Sequence, residues 1–170
     1  RQPHRHTGVM CAAVACAPFP GPGSPGLGFD LDPAARIERD LVADVVVFSG
    51  NAHPALAQRI CSSLGVRLSG VNLSRFSNDC LQAQLLANCR QRDVYIIQPL
   101  VPPTQEHLME LLLMIDAARG SSAASITAVM PHYAYARSDK KDASRISIGG
   151  RLVADLLKTA GVTRVLTMAL

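Results

Sequence analysis

The chain has no tryptophan, and only 4% of its 170 residues are aromatic. A core without large rings must be built from Leu, Ile, Val, Ala and Met, which suits a buried parallel sheet. Cys11, Cys16, Cys61, Cys80 and Cys89 are odd in number and show no CxxC or Cys/His ligand spacing. That argues against a metal ribbon or a disulfide framework and for reduced thiols of a cytoplasmic protein, some buried as small apolar groups. No apolar run is long enough to cross a membrane. The stretch from Val9 to Ala17 follows Arg1 and Arg5, but it is too poor in Leu and Ile for a signal-peptide core. The first residue is Arg rather than Met, which reads either as a fragment or as first residues that lie outside the natural start. Basic residues outnumber acidic ones, 17 to 13, for a net charge of +4. No dense Lys/Arg stripe interleaves with aromatics, so a polyanionic small molecule is a better partner than a nucleic acid.

Residues 1–43 are rich in Pro and Gly, with the alternation Phe19-Pro20-Gly21-Pro22-Gly23-Ser24-Pro25-Gly26. Prolines fix φ and glycines leave it free, so this segment reads as poorly ordered. A folded domain is expected over 44–170. Val45-Val46-Val47-Phe48 reads as a buried strand, ended by Ser49-Gly50-Asn51. Pro54 suits a helix first turn, Leu56, Ile60 and Leu64 mark its apolar face, and Gly65 its stop. Residues 66–73 and 80–86 are further strand candidates. Asp93 to Gln98 is a core strand stopped by Pro99, Pro102 and Pro103. Thr104 suits an N-cap for a helix whose face is Leu108, Leu111, Leu112 and Ile115, ending near Gly120. Ser125 to Met130 is the next strand, followed by a polar loop from His132 to Arg145. A last helix, with Leu152, Val153, Leu156 and Leu157 on one face, precedes a strand from Thr163 to Leu170. The alternation predicts an α/β fold, a parallel sheet flanked by helices and joined by right-handed crossovers.

Ligands of open α/β sheets bind at the carboxyl ends of the strands, which directs attention to the loop after Ser125–Met130. Arg137, Lys140 and Lys141 offer cations for phosphate oxygens. Asp139 and Asp142 could orient those cations or hold hydrated Mg²⁺. Spacing alone does not separate this arrangement from a solvated loop of mixed charge.

The wider pattern does. Pro131 through Asp142 resembles the P-(Y/F)-x-x-Y-A-R-Q-D-(R/K)-K-D segment of ribose-phosphate diphosphokinases. In the same order, Phe48 to Ala57 is similar to the family's first strand and turn, and Leu108 to Ala117 to its long helix. Ala160 to Met168 is close to its AGxxRVxTxDLH run. The resemblance spans Asp44 to Leu170. It implies a phosphoribosyltransferase-like (type I) amino-terminal domain with the second domain missing. The implied reaction is pyrophosphate transfer from MgATP to the 1-hydroxyl of ribose 5-phosphate, giving phosphoribosyl pyrophosphate and AMP, with Mg²⁺ arriving on ATP. The implied ATP-binding residues are Phe76, Asn78, Arg137, Ser138, Asp139, Lys140, Lys141 and Asp142, with Arg137 as the catalytic cation and no protein metal ligand. Arg75-Phe76-Ser77-Asn78 resembles the RFS(N/D)GE loop that reaches a neighbouring subunit's adenine site, which implies a homo-oligomer, dimer or hexamer. Phe76 would stack on adenine and Asn78 would hydrogen-bond it. No nucleic acid or membrane partner is implied.

Departures fall at sites that matter. Asp79-Cys80 stands where the family has Gly-Glu, Ser138 where it has Gln, and Ala169 where it has a metal-motif Asp. The metal-motif His and the ribose-phosphate loop of the second domain are not within these residues. The chain alone is therefore expected to bind MgATP weakly and not to turn over. A non-catalytic associated subunit and a stand-alone nucleotide-binding module are the alternatives. The active-enzyme portion is favoured because Arg137, Asp139, Lys140, Lys141 and Asp142 are kept together.

Overall fold

Val45, Val46 and Val47 cannot easily turn into a helix, because β-branching crowds the preceding turn. They open β1, Val45–Ser49, the first strand of a computed structural model that describes residues 44–168. The segment 1–43, with Cys11 and Cys16, and Ala169 lie outside the described residues. There follow α1 (Pro54–Leu64), β2 (Val71–Arg75), β3 (Leu81–Leu85), β4 (Asp93–Ile97), α2 (Thr104–Gly120), β5 (Ser125–Val129), α3 (Gly149–Ala160) and β6 (Arg164–Leu166). β1, β4, β5 and β6 pair in that order as a parallel sheet, with Val47 opposite Tyr95 and Tyr95 opposite Thr127.

Alternation along the strands divides two cores. Val46, Phe48, Val94, Ile96, Ile126 and Ala128 face α2 and α3, where Leu111, Met114, Ile115, Val153 and Leu157 are buried. Val47 and Ile97 face the other way, against Ala57 and Cys61 of α1. Cys61 and Cys89 are buried and Cys80 is exposed; burial pushes both buried thiols above the usual range, so they remain protonated and inert at neutral pH.

The parallel sheet flanked by helices is as expected, but several boundaries and faces differ. Of the candidates at 66–73 and 80–86, the first meets β1 only at Leu68, which bridges Val47 in parallel with Ser69 N donating to the Val47 carbonyl at 2.8 Å; the strands themselves are β2 and β3, an antiparallel hairpin whose Val71, Leu73, Ala83 and Leu85 pack toward α2. Thr104 does not cap α2: Pro103 occupies the cap position and no side chain caps it. His53 caps α1 instead, its Nδ1 accepting from Leu56 N at 3.1 Å. Gly65 ends α1 in the left-handed region at φ 66°, as its position suggested.

Leu64 is 65% exposed because α1 covers only part of its face of the sheet. An apolar groove of about 450 Å³ stays open there, lined by Ile60, Leu64, Tyr95, Ile97, Val129 and Leu166 among others. On α3 only Val153 and Leu157 are buried, while Leu152 and Leu156 are exposed. The last strand is three residues, Arg164–Leu166, rather than a run to Leu170. No helix among the described residues is long and apolar enough to cross a membrane.

Where α1 and α2 leave β1 and β4 toward opposite faces, a doubly wound sheet opens a crevice. Here protein fills it. Gln98 is fully buried, its Nε2 donating to Glu110 Oε2 at 2.8 Å and to the His107 carbonyl at 3.3 Å, its Oε1 accepting from Ala52 N at 3.3 Å. Glu110, also buried, accepts from Asn51 Nδ2 at 2.8 Å and from Asn51 N at 3.3 Å. A Cβ on Gly50 would lie 2.1 Å from Gln98 Oε1, so the turn needs glycine there. Glu110→Gln would aim an amide N–H at groups that only donate, and is expected to destabilise the domain by about 1–3 kcal/mol in urea unfolding. Gly50→Ala, which must expel Gln98 from its place, is expected to lower the same midpoint.

Candidate functional site

All four parallel strands end at one edge of the sheet, so their carboxyl-end turns are neighbours. With the β1–β4 crevice filled, the open segment at this edge is the connection between β5 and α3. It carries Arg137, Ser138, Asp139, Lys140, Lys141 and Asp142, and all but Ser138 are exposed. Among the described residues Arg137, Lys140 and Lys141 take part in no ion pair, and neither do Asp139 and Asp142. Three cations that do not neutralise protein carboxylates keep their full field for an anion.

The base of this loop is fixed. Ala136 N donates to the Tyr133 carbonyl at 3.1 Å and Ser138 N to the Tyr135 carbonyl at 3.0 Å. Tyr133 Oη donates to the Gly150 carbonyl at 2.7 Å, and burial pushes its pKa above the usual value, which keeps the proton it donates. Ser138 Oγ accepts from Gly149 N at 3.1 Å and the Ser138 carbonyl accepts from Gly150 N at 3.1 Å. The first N–H groups of α3 are thus occupied by the loop, which removes that helix start as a phosphate cradle.

Phe76 and Asn78 lie elsewhere, in the turn of the β2–β3 hairpin. Phe76 is 53% exposed. Asp79 N donates to the Phe76 carbonyl at 3.0 Å and Phe76 N to the Cys80 carbonyl at 2.9 Å, closing the turn. Asp79, standing where the resembled family has Gly, takes φ 64°, a conformation Asp tolerates better than most residues. Asn78 Oδ1 accepts from Cys80 N at 3.2 Å, and its Nδ2 makes no hydrogen bond among the described residues. The hairpin is tied to α2 by Arg75, which donates to Glu106 and also approaches Asp79 at 3.6 Å. The hydrogen bond from Arg75 holds the Glu106 carboxyl below the usual carboxylate range. No hydrogen bond or ion pair links the hairpin turn to the Arg137 loop within the described residues.

A profile of the N-terminal domain of ribose phosphate pyrophosphokinase matches residues 45–161. The chain belongs to that family. It is 68% identical over 127 residues to a protein of Streptomyces coelicolor, a match covering 75% of this chain and 40% of the relative. It is 53% identical over 126 residues to the ribose-phosphate pyrophosphokinase of Deinococcus radiodurans, covering 74% of this chain and 39% of that protein. The solved structure of phosphoribosylpyrophosphate synthetase from Mycobacterium smegmatis aligns with a TM-score of 0.71 at 40% identity, over 73% of this chain and 42% of that one. The chain thus spans about 40% of the length of the relatives it matches.

Against that family background, the residues the sequence did not single out are Gln98 and Glu110, which close the β1–β4 crevice. Their one signal was a polar residue ending an apolar strand and another inside an apolar helix stretch. Among the described residues no group of three or more His, Cys, Asp and Glu is placed to hold a metal ion. Stability from the Arg75–Glu106 pair is fully present above the ordinary Glu pKa and is lost as pH falls through the lowered one. Amide exchange in β2 and β3, relative to β4, is therefore expected to accelerate in acid below about pH 4. Arg75→Ala should already show the faster hairpin exchange at neutral pH.

Proposed function

We propose that the chain supplies the ATP-binding side of a ribose-phosphate pyrophosphokinase, which transfers pyrophosphate from MgATP to the 1-hydroxyl of ribose 5-phosphate. The observation that carries this reading is the set of unpaired, exposed cations on a loop whose base is hydrogen-bonded to α3, at the carboxyl edge of a parallel sheet. In such a transfer the protein contributes position and charge, with little covalent work. Arg137 takes the catalytic role, its planar fork matching two oxygens of the phosphate chain while negative charge builds on the departing AMP. Lys140 and Lys141 raise the local potential. Asp139 and Asp142, which hold none of those cations in an ion pair, meet the water shell of the Mg²⁺ that arrives with ATP.

The hairpin turn plays the adenine role. Phe76 offers an exposed ring face, and Asn78 retains an N–H₂ for a ring nitrogen of the base. With no bond joining this turn to the Arg137 loop among the described residues, and with its likeness to a loop that reaches a neighbouring subunit, the turn serves the loop of a second copy, so the working form is a homo-oligomer, a dimer or a hexamer. A soluble cytoplasmic enzyme of nucleotide biosynthesis fits this chemistry.

By calorimetric titration of the 170-residue chain with MgATP, Arg137→Ala is expected to weaken affinity about ten-fold or more, as for loss of a charge-assisted hydrogen bond. Phe76→Ala is expected to remove a stacking contact on the order of 1–3 kcal/mol, and only at concentrations where the chain self-associates. With ribose 5-phosphate added, the 170 residues alone are expected to bind MgATP without releasing AMP. An unchanged affinity in Arg137→Ala would contradict the site assignment.

A further inference from the structure

The start of α3 lacks the ordinary means of satisfying its first N–H groups. Ile148 occupies the cap position and has no polar side chain to offer. The missing acceptors come from Ser138, distant in sequence: Oγ for Gly149 N and the carbonyl for Gly150 N. Two glycines make room for this approach. A Cβ on Gly149 would lie 3.2 Å from Ser138 Oγ and 3.1 Å from Tyr135 Cδ1, and a Cβ on Gly150 would lie 2.9 Å from the Tyr135 carbonyl. Tyr133 Oη completes the clamp from the other side by donating to the Gly150 carbonyl.

We infer that Ser138 is a positioning residue rather than a nucleotide contact: it is the displaced N-cap of α3, and by clamping the loop to that helix it sets where Arg137 and Asp139 emerge. The backbone on both sides of Ser138 carries those exposed charged groups, so any freedom at Ser138 is passed directly to them. Only a short side chain with an oxygen on its β- or γ-position reaches Gly149 N in this geometry. A Gln, the residue of the resembled family segment, is too long to cap here without moving the turn off Gly149–Gly150. The loop of this chain is therefore held by its own helix before any ligand arrives, which reduces the ordering that binding must supply. The link from the clamp to nucleotide affinity rests on the site assignment proposed above; the clamp itself does not.

The test separates the two. In the ¹⁵N-labelled 170-residue chain without nucleotide, Ser138→Ala is expected to speed amide exchange at Gly149 and Gly150 about five-fold, the size of a lost N-cap, with β4 and β5 amides unchanged. Ser138→Thr is expected to keep the slow exchange, and Ser138→Gln to behave like Ser138→Ala. Titrated with MgATP, affinity should follow the exchange rates: reduced in Ser138→Ala and Ser138→Gln, kept in Ser138→Thr. Unchanged exchange at Gly149 in Ser138→Ala would overturn the clamp. Weakened MgATP binding in Ser138→Ala with unchanged exchange would make Ser138 a direct ligand contact and overturn the inference equally. Failure of the unsubstituted chain to bind MgATP would count against the nucleotide site, while the exchange comparison would still decide the clamp.

Discussion

A carboxylate buried in the middle of the domain organises what surrounds it. Glu110 is held by donors from Asn51 and Gln98, and a polar group remains inside a protein at low cost only when its oxygens are so occupied. Those bonds join the turn after β1, the end of β4 and the body of α2, three elements far apart in the chain. The crevice between β1 and β4, the natural binding place of a doubly wound sheet, is taken by Gln98 and Glu110. The site proposed above lies one strand along, at the loop after β5. The same helix that presents Glu110 inward presents Glu106 outward to Arg75, so α2 fixes both the sheet edge and the hairpin.

The loop shows the opposite electrostatic economy. Where Gln98 and Glu110 bond each other and Asn51, Arg137, Lys140 and Lys141 are left without ion-pair partners among the described residues, while Ser138 between them is bonded to Gly149 and Gly150. Fixed backbone with unspent charge is what binding a polyphosphate requires, because the field is already aimed before the anion arrives. Membership of the ribose-phosphate pyrophosphokinase family and this arrangement of charge support the same reading from independent directions.

Much of this was legible in the sequence, for identifiable reasons. The valines of β1, the Asp93–Ile97 strand and the Ser125–Val129 strand are apolar runs between clear stops, and a parallel sheet buries such runs on both faces. The strand candidates at 66–73 and 80–86 contain β2 and β3, but strand alternation does not say that they pair with each other against α2 rather than within the parallel sheet. Leu64, Leu152 and Leu156 belong to apolar helix faces and yet are exposed, since helical periodicity gives the direction of an apolar stripe but not how much of it a neighbour covers. Thr104 looked like a cap, yet the chain enters α2 through Pro103. Gln98, Glu110 and the capping role of Ser138 depend on contacts between distant segments, and no local pattern encodes them. The loop proposed as the nucleotide site is marked out by its collinear motifs and not by spacing.

The central claim is that the nucleotide meets the β5–α3 loop and not the β1–β4 crevice. Backbone amide shifts of the ¹⁵N-labelled chain, followed during addition of MgATP, test it most directly. The account predicts saturable shifts at Arg137 to Asp142, carried through the clamp to Gly149 and Gly150, with Asn51, Ala52 and Gln98 unmoved. Shifts concentrated at Asn51, Ala52 and Gln98, with the Arg137 loop silent, would contradict it.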